Sequence, residues 1–187
     1  MKTLFYILLL IIPGLAHAQL LPLDEQGKVS FYEVVKADSL KADLLYSNAK
    51  NWLQSRGYTL AEMDSVGGRL VATNAFPVYD KGYVTKKMHG KVGYQLSIEV
   101  KEGKYRYQFT NFVFAYYKED RTYRLVPTGK IKALEETTAS GWQNLWENHR
   151  KNTLLTVENL IGEMKTMIPT QPKASVVIAK QSKKEDW

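Results

Sequence analysis

The sequence predicts an α+β domain: a curved antiparallel sheet with its helices gathered on one side, in the manner of helix-grip folds. Three observations predict it. Val92, Tyr94, Leu96, Ile98 and Val100 alternate with Gly93, Gln95, Ser97 and Glu99, the two-residue repeat of a half-buried strand. The returning stretch places Tyr105, Tyr107 and Phe109 in one phase and Phe112, Phe114 and Tyr116 in the other. That one-residue slip near Thr110-Asn111 predicts a β-bulge, which bends a sheet. Finally, a helical period from Ser140 to Ile168 keeps Trp142, Trp146, His149, Val157, Met164 and Ile168 on one face. Such a helix is about 40 Å long, enough to cross a whole sheet.

The other elements follow in chain order. Gln19 to Gly27 reads as a polar lead-in, and Lys28 to Lys36, rich in Val, Phe and Tyr, as a first strand. Asp38-Ser39 offers an N-cap to a helix whose Leu40, Leu44, Leu45, Ala49, Trp52 and Leu53 share a face, with Gly57 as its stop. Thr59 to Ala75 reads as two short strands around Asp64–Gly68, with the facing of Leu70, Val71 and Ala72 left open. Pro77 to Lys86 reads as a loop, and Glu102-Gly103 as the turn of the long hairpin. Lys118 to Thr138 is polar, with a short edge strand at Tyr123–Val126. Leu154 falls off the stripe of the long helix and is expected to be exposed or against a loop. Pro169 ends that helix, and the Lys-rich stretch 170–187 reads as a disordered tail. The order is therefore strand, helix, four or five strands, long helix, in one domain spanning 19–169.

The first eighteen residues read as an address. Lys2, the apolar run Leu4–Ile12 and Ala16-His17-Ala18 have the layout of a signal peptide cleaved before Gln19. The run is short of the ~20 residues that a spanning helix needs, so no transmembrane segment is expected after cleavage. The chain contains no cysteine. Disulfides, thiolate metal sites, a cysteine nucleophile and a lipoprotein anchor are thereby excluded. The expected protein is exported, periplasmic or extracellular, soluble and unlipidated, and it relies on an aromatic core. A formal net charge of +7 favours acidic partners, of which anionic lipid head groups and acidic glycans are the more available outside the cytoplasm.

The segment GKVGYQLSIEVKEGKYRYQFTNF resembles the hairpin of a family of exported bacterial domains of unknown function with a TATA-binding-protein-like (TBP-like) fold. GKVSFYEVVKADSLKADLLYSNAKNWL, together with the order of elements, is similar to the same family. The resemblance implies the TBP-like fold and carries no functional residues with it. TATA-binding proteins bend DNA over a sheet face. Here Arg106 and Gln108 alternate with Tyr105, Tyr107 and Phe109, the ordinary pattern of a sheet with helices on one side and water on the other. With export read independently, no nucleic-acid partner is expected, since fold does not fix function.

The search for chemistry returns little. After signal cleavage the histidines are His89 and His149, without a metal-ligand spacing. His149 on the apolar stripe reads as a satisfied core or boundary histidine, and His89 at a strand start as exposed. Serine-nucleophile and phosphate-cradle motifs are absent, and no cofactor is expected. Tyrosines outside the core are the candidate partner contacts, because their rings pair an apolar face with a polar tip. These are Tyr79 and Tyr83 before the long hairpin, and Tyr116, Tyr117 and Tyr123 near its far end. The expected function is a non-enzymatic binding or accessory module of the cell envelope. Its partner is an envelope ligand or protein, and its oligomeric state is open. An envelope-acting enzyme and a homo-oligomeric structural component are the alternatives.

Overall fold

The computed structural model describes residues 21–79, 87–139 and 142–171. The segment 1–18 that reads as a signal peptide, Tyr83 and almost all of the stretch 170–187 that reads as a tail lie outside the described residues. The elements are β1 (Phe31–Lys36), α1 (Ala42–Ser55), β2 (Thr59–Asp64), β3 (Arg69–Tyr79), β4 (Met88–Lys101), β5 (Lys104–Glu119), β6 (Leu125–Ala133) and α2 (Gln143–Met167). They form the expected α+β arrangement, with five strands between the helices. The sheet order is β1-β5-β4-β3-β2, with β6 also on β5, and every pairing is antiparallel.

The bulge falls where the aromatic slip places it. Gln95 faces Thr110 but Gly93 faces Val113, and Asn111 takes the left-handed φ of 56° that the extra residue requires. Tyr105, Tyr107 and Phe109 before the bulge, and Phe112 and Phe114 after it, are all buried in one core. The bulge is also a hand-over. β5 pairs with β1 from Lys104 to Phe109, then with β6 from Val113 to Glu119. One long strand thus carries two short partners along the same side.

Both helices cover one face of the sheet. Leu45, Ala49, Trp52 and Leu53 of α1 and Trp146, His149, Val157 and Met164 of α2 are buried against it. Leu70 and Ala72 point into that core, settling the facing of β3, while Val71 is buried outside it. Tyr94 is the hub, in ring contact with Tyr58, Phe76, Phe109 and Phe112. Its hydroxyl meets that of Tyr58 at 2.7 Å, and burial pushes the Tyr94 phenol up to about 12.

Several expectations need correcting. The cap of α1 is not Asp38-Ser39: Ser39 has a φ of 74°, the helix starts after Lys41, and the Glu102 carboxylate accepts from the Ala42 N–H at 3.0 Å. A distant turn does the work of a local cap. Leu40 accordingly lies before the helix, although buried. The far end behaves as read: Gly57 takes a φ of 69°, and the Gly57 and Tyr58 N–H groups bond back to Gln54 and Leu53 in a Schellman arrangement. Pro77 is not in a loop but in β3, opposite Lys91. β2 has ended by Thr73, so this part of β3 is an edge, where a proline lacks no ladder partner. The edge strand β6 begins at Leu125 rather than Tyr123 and runs nine residues, and β1 starts at Phe31. Leu21 in the lead-in is buried, with Leu23 bridged to Val29. Leu154 is buried, because α2 packs against both the sheet and α1 and so needs a wider apolar arc. Trp142, assigned to the stripe, is 68% exposed at the start of the helix.

A polar clasp ties β1 to α2. Lys165 Nζ donates to Glu33 at 2.7 Å, and the Tyr107 hydroxyl donates to the same carboxylate at 2.7 Å. The Lys165 bond first, then the Tyr107 bond, hold the Glu33 carboxyl below its ordinary value. A depressed carboxyl pKa contributes stability above the unfolded value, and that contribution is lost as pH falls through the folded one. Both partners are partly exposed, so screening limits the contribution to under about 1 kcal/mol. Glu33→Gln should therefore lower Tm by about 1–3 °C at neutral pH. Below the lowered folded value of Glu33 the two proteins should melt together. A deficit of the same size above and below that value in thermal scans would refute the clasp.

Candidate functional site

Among the described residues, both helices lie on one side of the sheet and the other side is exposed. Side chains alternate along each strand, so Tyr32, Val34 and Lys36 of β1, Lys104, Arg106 and Gln108 of β5, and Ser97, Glu99 and Lys101 of β4 share it. Register sets them in rows. One runs Val34, Arg106, Glu99, Arg69 across four strands; the next, at the sheet end, runs Lys36, Lys104, Lys101. Glu99 accepts from Arg106 Nε at 2.9 Å and lies 3.8 Å from Arg69, which in turn reaches Glu62 at 3.4 Å. The Arg106 guanidinium is held above its usual range, by Glu99 first and by the Tyr32 hydroxyl after it. A chain of alternating charge thus links β2 to β5. Beside it Tyr32 and Val34 are 57% and 48% exposed, an apolar pair among charges. Tyr32, Val34, Glu99, Lys101, Lys104 and Arg106 line a crevice of ≈ 200 Å³ there.

A second site lies on the helix side. His89 in β4 and His149 in α2 are joined by a 3.1 Å bond between Nδ1 and Nε2. His89 is half-buried, not exposed: β4 starts at Met88, so the imidazole lies inside the sheet and under α2. His149 stacks on Phe114 with centroids 4.9 Å apart. An N–H···N bond needs a lone pair, so one of the two rings is neutral. Their crevice, ≈ 310 Å³, is walled by Tyr116, Trp142, Leu145, Trp146 and Lys132, whose ammonium sits 4.6 Å from the Trp146 ring centroid. Among the described residues no three metal-ligating side chains gather, here or elsewhere.

The four described candidate tyrosines share an end of the sheet without converging. Tyr79 closes β3 opposite Met88, and Tyr116 faces Gly90. Tyr116 packs edge-on against Phe114 and lines the histidine crevice. Tyr117 is half-buried, with the Lys91 ammonium 5.5 Å from its ring centroid. Tyr123, with a φ of 58°, is 88% exposed in the turn before β6. What sequence reasoning missed are the lysine row and the histidine pair. Lys101 and Lys104 flank the two-residue turn, so their pairing was legible in a hairpin of that length. Lys36 joins them through β1–β5 pairing, and the histidines are sixty residues apart; neither leaves a local signal.

Sheet order, two helices on one face and a bent central hairpin define a TBP-like fold. Residues 31–115 match the model of the family described as a domain of unknown function (DUF4468) with TBP-like fold. The matched segment is thus similar to the family that the hairpin resembles. The crystal structure of a TBP-like protein from Parabacteroides distasonis ATCC 8503 is similar, with a TM-score of 0.61 at 13% identity, over 81% of this chain and 99% of that one. A DUF4468 family protein from Bacteroides ovatus ATCC 8483 is similar with a TM-score of 0.55 at 13% identity, over 81% and 94% of the two chains. At such identity these likenesses establish the fold and nothing more. No curated protein matches the chain. Among the described residues no helix is long and apolar enough to cross a membrane.

Proposed function

We propose that the protein is an exported, non-enzymatic binding or accessory module of the cell envelope, which holds an envelope ligand or protein on the uncovered face of its sheet. The observation that carries this reading is that bare face, where Tyr32 and Val34 stand exposed among fixed charges. A sheet of six strands with both helices on one side offers a broad, rigid surface, and an aromatic ring beside ordered charges is the composition of a contact core. Tyr79, Tyr117 and Tyr123 lie, separately, at the other end of the sheet from the lysines. The signal-peptide layout of the first eighteen residues supports the location, and the same layout speaks against nucleic acid as the partner.

The test is to isolate the protein from its native envelope, sequence its N-terminus and identify what co-purifies. The expected product begins at Gln19 and retains an envelope component, and Tyr32→Ala should weaken that retention about thirtyfold. Uncleaved protein in the cytoplasm, or retention indifferent to Tyr32, refutes the reading. The enzyme alternative is favoured by one observation, the paired imidazoles in a crevice. It requires turnover of envelope material that His89→Gln abolishes in a folded protein.

A further inference from the structure

Lys36, Lys104 and Lys101 stand side by side on three neighbouring strands. Lys36 is the register partner of Lys104, and Lys104 of Lys101. All three are exposed and rise from the bare face. With strands about 4.8 Å apart, three ammonium-bearing stems occupy a row roughly 10 Å long. Like charges directly opposite one another destabilise a sheet, so the fold gains nothing from this arrangement. Nor is it neutralised from within. Among the described residues none of the three joins an ion pair. Of the nearby carboxylates, Glu99 holds Arg106 and Arg69, and Glu102 accepts from the Ala42 N–H.

The identity of the free cations narrows the ligand. Both neighbouring arginines, the residues suited to planar, bidentate carboxylates, are bound to glutamates. What remains are ammonium groups, compact point charges of the kind that hold phosphate. A phosphate group concentrates up to two negative charges and several acceptor oxygens in one small volume. The adjoining crevice of ≈ 200 Å³, with Tyr32 and Val34 in its wall, has room for the group that such phosphates would carry.

We propose that the row Lys36–Lys104–Lys101 seats the phosphate groups of a soluble phosphorylated ligand, with a diphosphate as the best-matched unit for three adjacent cations. This rests on reading the bare face as the binding face, and it names the chemistry of what binds there.

The experiment is calorimetric titration of the full chain with inorganic pyrophosphate, at about 0.15 M salt so that long-range attraction is screened. Saturable binding is expected, reduced at least about tenfold in the Lys101→Gln/Lys104→Gln double variant and kept in Lys104→Arg. Without ligand, the double variant should melt about 1–3 °C higher than the parent, because a repulsion has been removed. Sulfate at equal ionic strength should give no saturable heat. The proposal is overturned if sulfate matches pyrophosphate, if the double variant binds as the parent does, or if an oligogalacturonate binds more tightly. It is equally overturned if vesicles containing phosphatidic acid bind while soluble pyrophosphate does not. Should Tyr32→Ala still abolish envelope retention while pyrophosphate fails, the ligand class falls and the binding face stands. If pyrophosphate binds but retention ignores Tyr32, the phosphate seat stands and envelope retention through Tyr32 falls.

Discussion

Phe114→Ala should destabilise the protein by about 3–5 kcal/mol. Phe114 is fully buried beyond the bulge. Its ring touches Tyr116 at a centroid distance of 4.8 Å, His149 at 4.9 Å and Trp146 at 5.8 Å. It therefore fastens the far half of β5 to the first turns of α2. Removing it leaves a cavity bounded by two strands and a helix that cannot all collapse inward. Against a total of about 5–15 kcal/mol, such a loss leaves many domains partly unfolded at growth temperature. Denaturant titration should show the midpoint falling with the slope unchanged. A loss below about 1 kcal/mol would mean that Phe114 is not the joint between sheet and helix.

The second large effect comes from adding one methyl group. Gly90 faces Tyr116 across β4 and β5. A Cβ there would lie 2.5 Å from Phe114 Cζ and collide with the Ala115 carbonyl oxygen. Neither can yield cheaply, since the ring is wedged between Trp146 and His149 and the carbonyl belongs to the strand backbone. Gly90→Ala should cost about 2–3 kcal/mol by overpacking. Because part of that cost is the ring itself, the change should be milder in a Phe114→Leu background, with a coupling of at least about 0.5 kcal/mol. Strict additivity in the double-mutant cycle would assign the whole clash to the backbone.

The core of the fold was legible because its signals are local. Alternation in Lys91–Val100, the phase slip at Thr110-Asn111 and the Arg56-Gly57 stop each act within a few residues, and each appears where it was read. What escaped depends on distant partners. The cap of α1 comes from Glu102, sixty residues on. Pro77 looked like a breaker until β2 was seen to end before it. His89 reads as exposed until α2 is laid over β4. The candidate surface was half legible: the alternation of Arg106 and Gln108 with buried aromatics implied a polar face, but its rows exist only through register. Lys36 could join Lys101 and Lys104 only once β1 was known to lie beside β5 rather than beside β2. The tyrosine candidates rest on residue type, and type does not determine convergence. Tyr116 and Tyr123 are accordingly found in quite different surroundings.

The hand-over on β5 also governs how the sheet meets its own kind. An open sheet invites another to zip onto its rim, and the length of uninterrupted rim sets how far a zipper can run. Here one rim is divided between β1, six residues long, and β6, nine residues long with Pro127 and Gly129 inside it. The other passes from the six residues of β2 to a stretch of β3 containing Pro77. The bend in β5 has thus also divided one border between two short strands. Short, proline-interrupted rims of this kind limit how far a second sheet can zip onto a chain that no disulfide locks.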